Sequence, residues 1–180
     1  MKNVGKLQIT TPSDREIAMT RVFDAPRRLV WDALTKPELV KRWLGVRGGW
    51  TLDVCEIDLQ VGGRYRYVWR GPDQKIPSTI PGVAPVAMRE MGMSGVYREV
   101  AAPGRLVATE VFDQSWYEGD ALDTMVLVEK GGKTTLTTTV QYDSKAIRDA
   151  VLKSPMEKGV AEGYDKLDEL LASQLTSETK

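Results

Sequence analysis

The chain contains no histidine. Without imidazole there is no Ser-His-Asp or Cys-His arrangement, no histidine metal ligand, and no side chain whose unperturbed pKa lies near neutrality. Any catalysis must therefore come from carboxylates, lysine, tyrosine or a thiol whose pKa is shifted by its surroundings. Cysteine is nearly missing as well: Cys55 stands alone, so it makes no internal disulfide and suits a reducing compartment. As a small apolar residue in a strand it is expected to be packed and inert. Net charge is absent, with Lys+Arg and Asp+Glu equal at 25 each, so no overall field draws the protein to nucleic acid or an anionic membrane. No apolar run approaches the roughly 18 residues that span a bilayer, and the first residues lack a basic-then-apolar signal segment. The expectation is a cytoplasmic protein with neither metal nor cofactor, monomeric or homodimeric.

What is present suits one domain, since 180 residues at 42% hydrophobic content supply a substantial core. The organising stretch is Ser154–Leu175, which reads as one long amphipathic helix. Ser154 with Glu157 forms a capping box, and Pro155 takes the first helical position, where its missing N–H costs nothing. Met156, Val160, Gly163, Tyr164, Leu167, Leu170 and Leu171 fall within one arc of about 120°, opposite Lys158, Glu162, Asp165, Lys166 and Glu169. Such a rod, roughly 30 Å long, can lie across a whole sheet. Gly159 and Gly163 each cost about 1 kcal/mol relative to Ala in a helix interior. They allow either close backbone approach to the sheet or room for a ligand, and composition does not choose between these.

In chain order, residues 1–14 are polar and expected to fray. Glu16–Asp24 alternates Ile17, Met19 and Arg21 against Ala18, Thr20 and Val22, which predicts a strand with a buried face. Pro26 opens a helix with Leu29, Val30, Ala33 and Leu34 on one face. Pro37 opens another with Leu39, Val40, Trp43 and Leu44, which Gly45 ends. This helical hairpin is locally basic through Arg27, Arg28, Lys36, Lys41, Arg42 and Arg47, either a solvated face or a docking surface for an acidic partner.

From Thr51 to Tyr142 the period becomes two. Thr51–Leu59 and Arg64–Arg70 read as strands joined through Gly62 and Gly63; Tyr65, Tyr67 and Trp69 point inward and Arg64, Arg66 and Arg70 outward. Met93–Val100 with Arg105–Phe112, and Leu122–Glu129 with Thr134–Tyr142, form two hairpins, and Ala146–Leu152 a helical turn before the last helix. Gly71–Gly92 contains Pro72, Pro77, Pro81 and Pro85 and is expected to be a long irregular loop, a lid or a decoration. The Gln114–Ala121 loop offers Trp116 and Tyr117 as a second rim. The domain is thus 15–175, with a flexible 1–14 and a tail at 176–180.

Together, FDAPRRLVWDALTKPELVKRWLG, QVGGRYRYVWRGPD, GVYREV, GRLVATEVF, GKTTLTTTV and KGVAEGYDKLDELL resemble the family of activator-of-Hsp90-ATPase homologues, within the helix-grip, START-like (SRPBCC) superfamily. The resemblance spans Glu16 to Leu171. It implies an α+β fold in which a curved antiparallel sheet of six to seven strands wraps around the C-terminal helix, with two helices inserted after strand one. It also implies a cavity between sheet and helix, used in the superfamily for apolar molecules. The family has no universal catalytic residues.

Three functions follow as expectations. The first is a binding module for a small apolar or aromatic ligand, with Trp43, Trp50, Tyr65, Tyr67, Trp69, Tyr97, Trp116, Gly159 and Gly163 around it. The second is a protein-interaction role toward a chaperone ATPase, through the basic hairpin and the long loop. The third is a cyclase- or hydrolase-like enzyme in which Glu56, Asp58, Glu99 or Glu110 is a buried acid or base and Tyr97 or Arg66 polarises a carbonyl.

Overall fold

The computed structural model describes residues 5–76, 86–115 and 117–179, and side chains throughout these except at 74–76 and 86–87. The order is β1 (Gln8–Thr10), β2 (Glu16–Phe23), α1 (Arg27–Thr35), α2 (Pro37–Val40), β3 (Thr51–Ile57), β4 (Arg64–Ile76), β5 (Val86–Ala101), β6 (Arg105–Phe112), β7 (Ala121–Lys130), β8 (Lys133–Gln141), α3 (Lys145–Lys153) and α4 (Met156–Glu178). One antiparallel sheet runs β1-β2-β8-β7-β6-β5-β4-β3. α4 lies against the face that carries the apolar alternates.

Period two decides which face that is. On β8, Thr134, Leu136, Thr138 and Val140 are buried while Thr135, Thr137 and Thr139 are not. On β2, Ile17, Met19, Arg21 and Phe23 share the inner alternate. α4 meets this face with Tyr164, Leu167, Leu170 and Leu171, all buried. Each leucine there contributes about 2 kcal/mol of hydrophobic stabilisation. The buried Arg21 reaches from β2 to the helix, its Nη1 donating to Asp165 at 2.8 Å and its Nη2 to Asp168. Its guanidinium also sits 5.6 Å from the Phe23 ring centroid.

The helical hairpin is fastened by two indoles. Trp43 Nε1 donates to the Ala33 carbonyl at 2.8 Å, and Trp69 Nε1, from β4, donates to the Leu44 carbonyl at 2.9 Å. Gly45 makes the second bond possible: its φ is +67°, and a Cβ there would lie 2.3 Å from Trp69 Nε1.

Several expectations are corrected. The sheet has eight strands rather than six or seven, because Gln8–Thr10, expected to fray, pairs with β2 through Ile9 and Met19. Gly71–Gly92 is not one long loop: β4 continues to Ile76 and β5 begins at Val86. Pro72 is tolerated because the register breaks between Arg70 and Gln74, so its missing N–H leaves no rung unfilled, and Arg89 closes the bulge by an ion pair to Asp73. Residues 77–85 lie outside the described residues. The Ser154 capping box does not form. The Ser154 hydroxyl instead donates to the Val151 carbonyl at 2.6 Å, closing α3, and Pro155 precedes α4 without a side-chain cap. Finally, α4 continues to Glu178, so 176–178 are helix rather than tail.

Candidate functional site

The first turns of α4 are less buried than those that follow. Met156, Val160 and Gly163 continue the apolar stripe of Tyr164 and Leu167, yet none of the three is fully buried. Beneath them lies a cavity of about 550 Å³. Its floor is the inner face of β4 to β8 with Met19 of β2, and its roof is α4 with Gly159, Val160, Gly163 and Tyr164. Leu34, Val40, Trp43 and Leu44 of the helical hairpin close one side, while Tyr117, Tyr142 and Val151 close another. A volume of this size, walled mainly by apolar and aromatic groups, is that of a small-molecule site.

β4 gives the wall its aromatic ladder. Residues two apart share a face, so Tyr65, Tyr67 and Trp69 line up with centroids 5.0 Å and 5.9 Å apart, and Tyr97 joins from β5 at 5.6 Å from Tyr65. The Tyr65 hydroxyl donates to the Thr109 carbonyl at 2.8 Å. Burial raises the pKa values of Tyr65, Tyr67 and Tyr97, so these phenols stay neutral. Cys55, on β3 directly opposite Tyr67, is buried and its thiol is pushed up to about 11, which makes it inert at neutral pH.

Of the residues expected around a ligand, Trp43, Tyr65, Tyr67, Trp69, Tyr97, Gly159 and Gly163 are brought together on the cavity wall. Trp50 is not. It packs over β4 at Gly71, where a Cβ would lie 2.4 Å from its ring, so this aromatic serves the strand rather than the cavity. Trp116 lies outside the described residues. The glycines do not admit the sheet backbone either. A Cβ on Gly159 would lie 2.9 Å from Arg47 Nη1, and one on Gly163 would stand 4.0 Å from the Trp43 ring. Gly159 makes way for an arginine that pairs with Glu162 at 3.3 Å, and Gly163 leaves open space beside an indole.

The carboxyls divide sharply. Glu56 and Asp58 are exposed, and Glu99 is turned outward to Arg105 at 3.0 Å. Arg66 also faces outward, donating to Asp113 at 2.7 Å, which holds that carboxyl below its usual range. Glu110 alone of the expected set lines the cavity, and it is joined by Asp123, which sequence reasoning missed. Both residues are partly buried, and both line the cavity. Desolvation raises Glu110 well above the usual carboxylate range, reinforced by the charge of Asp123 and a hydrogen bond with it. Desolvation also raises Asp123 to about 6, offset in part by the hydrogen bond with Glu110. Asp123 Oδ1 is buried with no hydrogen-bond partner. The signal that finds Asp123 is alternation: it follows Ala121 and precedes Met125 and Leu127 on the inner face of β7, a charge where an aliphatic belongs.

Among the described residues, no group of three or more Cys, Asp or Glu side chains is placed to hold a metal ion. Among them too, no helix is long and apolar enough to cross a membrane.

The family described as Activator of Hsp90 ATPase homolog 1-like protein matches residues 24–80 and 82–172. A crystal structure of a Rhodobacter sphaeroides protein is 33% identical, with a TM-score of 0.80, covering 93% of this chain and 99% of that one. A Mycobacterium smegmatis protein at 19% identity and TM-score 0.73 covers 95% and 99%, and a Nitrosomonas europaea protein at 23% and 0.70 covers 92% and 99%. These last two speak for the fold alone. No curated protein matches the chain. The family match across both halves of the domain, joined to the likeness in structure, establishes that this chain belongs to the Activator of Hsp90 ATPase homolog 1-like family of START-like helix-grip proteins.

Proposed function

We propose that the protein binds a small, mainly apolar or aromatic molecule between the sheet and the first half of α4. The observation that carries this reading is the apolar stripe of Met156, Val160 and Gly163, which overlies about 550 Å³ of cavity instead of packed side chains. A fold whose only need was stability would fill that volume, since closing an apolar void of this kind recovers dispersion and transfer energy. The lone free thiol of Cys55 accords with a cytoplasmic setting for this role. Trp43 and Trp69 stand on the wall, so the test is tryptophan fluorescence against a panel of apolar aromatics. Saturable quenching that competes between ligands supports binding. A flat response across the panel, from protein with its native circular dichroism, refutes it.

One observation favours a second reading, a cyclase- or hydrolase-like reaction: Glu110 faces the cavity and holds its proton near neutrality, as a general acid must. Mass spectrometry of the ligand after incubation separates the two, because a mere binder returns it unchanged. Chaperone regulation is less favoured. Three of the six cations it would use are engaged within the chain, Arg28 with Glu178, Lys36 with Asp32 and Arg47 with Glu162.

A further inference from the structure

Together Glu110 and Asp123 place negative charge, carried by Asp123 above about pH 6, in an apolar chamber where the described residues offer it no counter-charge. Among the described residues, neither carboxyl is held by a cationic side chain. Among the described residues lining the cavity, the sole cation is Arg47, half-exposed beside Gly159 and paired with Glu162. Asp123 Oδ1 is buried without a donor among the described residues, and it belongs to a residue that lines the cavity. A buried carboxylate is costly unless a cation or several donors meet it. Here two acids, of which Asp123 ionises first, occupy inner alternates of adjacent strands, positions that Leu106, Ala108 and Leu127 fill elsewhere on the same strands. The missing partner is a compact cation with several N–H donors, on a body that suits aromatic walls. A protonated amine has that form, and Tyr65, Tyr117 and Tyr142, which line the cavity near the carboxyls, supply aromatic surface that suits its charge.

We propose that the ligand is an aromatic or alicyclic amine bound as its ammonium ion, its N–H groups donating to Glu110 and Asp123 and its apolar body lying along the tyrosine and tryptophan ladder. This rests on the cavity-binding reading above and names the chemical class it selects.

The preference depends on pH through one group. The other titratable groups facing the pair are Tyr65, Tyr67, Tyr117, Tyr142 and Tyr164, all raised by burial and so neutral throughout. Arg47, which lines the cavity, and Arg21 of β2 are committed to Glu162 and to Asp165 and Asp168. An alkylammonium keeps its proton to about pH 10. Ionisation of Asp123 therefore sets the change.

The experiment uses three probes with one apolar body and three heads: naphthylethylamine, naphthylethanol and naphthylacetate. Their affinities are measured by calorimetry with the full chain at about pH 5 and about pH 7.5. The amine is expected to bind at least about ten-fold tighter than the alcohol at the higher pH, the acetate weakest, with the gap narrowing at the lower pH. Asp123→Asn, alone or together with Glu110→Gln, is expected to bring the amine-to-alcohol affinity ratio at the higher pH close to one, while Glu110→Gln alone, which replaces a neutral acid by a neutral amide, is expected to keep the amine preference. Melting curves check that these variants fold. If the alcohol or acetate binds as tightly as the amine, the amine proposal fails and cavity binding stands. If none of the three binds the folded wild type, both fail.

Discussion

Asp123 stands opposite Ala108 in the β6–β7 ladder, which sets its side chain diagonal to Glu110 on the same inner face. Two acids so placed repel when both ionise, and burial penalises even one charge. Their folded pKa values are raised, so the stability they contribute is fully present below the unfolded carboxylate range. That contribution is lost as pH rises through the folded values, first for Asp123 near 6 and later for Glu110. Asp123→Asn should therefore stabilise the protein by about 1–3 kcal/mol at about pH 7.5, and by much less at about pH 4. Urea denaturation of both proteins at the two pH values measures this. A loss of stability at the higher pH would mean that the carboxylate has a partner in the folded chain.

The division of α4 into a packed half and a cavity half predicts unequal costs along one stripe. Leu167 is wholly buried, so Leu167→Ala should cost about 2–5 kcal/mol. Val160 lies on the same face but over the cavity, and Val160→Ala should cost under about 1 kcal/mol, because alanine's better helix propensity offsets the little packing lost. Equal costs would place a filled core under Val160.

How much of this was readable follows from how local each signal is. The alternation of Leu136, Thr138 and Val140, and the Tyr65, Tyr67, Trp69 row, depend on period two within one strand and were legible. Seven of the nine residues expected around a ligand lie on the cavity wall, most of them read from this alternation or from the helix patterns. Trp50 did not, because it precedes β3 and nothing near it in sequence shows that Gly71 receives its ring. Pro72 misled because a break in one strand looks the same as a strand that ends; only the partner residue Arg89, met across the hairpin, reveals a bulge. Ser154 fits an N-cap by spacing, but α3 arrives first and takes its hydroxyl. The Glu110–Asp123 pair is thirteen positions apart in numbering and becomes a pair only through the β6–β7 register.

The attachment of the helical hairpin hinges on one backbone angle. At Gly45, φ is +67° and a Cβ would press 2.3 Å from Trp69 Nε1, so Gly45→Ala combines left-handed strain with loss of the bond to Leu44. Strain of about 1–2 kcal/mol and a hydrogen bond of about 1 kcal/mol set the expected destabilisation near 2–3 kcal/mol. Trp69 emission should shift to the red as its indole loosens. An unchanged spectrum and melting temperature would show that the turn relaxes freely.

Gly163 offers the sharpest separation of stability from binding. A glycine inside a helix costs about 1 kcal/mol against alanine, and the nearest atoms to a Cβ here are those of the Trp43 ring at 4.0 Å, an ordinary contact. Gly163→Ala should thus raise the melting temperature by about 2–4 °C. Gly163→Met should keep most of that helical gain, because its flexible side chain enters the cavity rather than a packed wall. It should also weaken apolar-probe binding about ten-fold or more by occupying the space the probe needs. Gly159→Ala is the control: its Cβ meets only the movable end of Arg47, so it should stabilise the helix at the expense of an exposed ion pair worth under about 1 kcal/mol. Gains in stability at both glycines, with binding lost only when Gly163 carries a long side chain, are what a ligand space under this helix requires. A Gly163→Met protein that melts lower than wild type would instead show that the helix has no room beneath it.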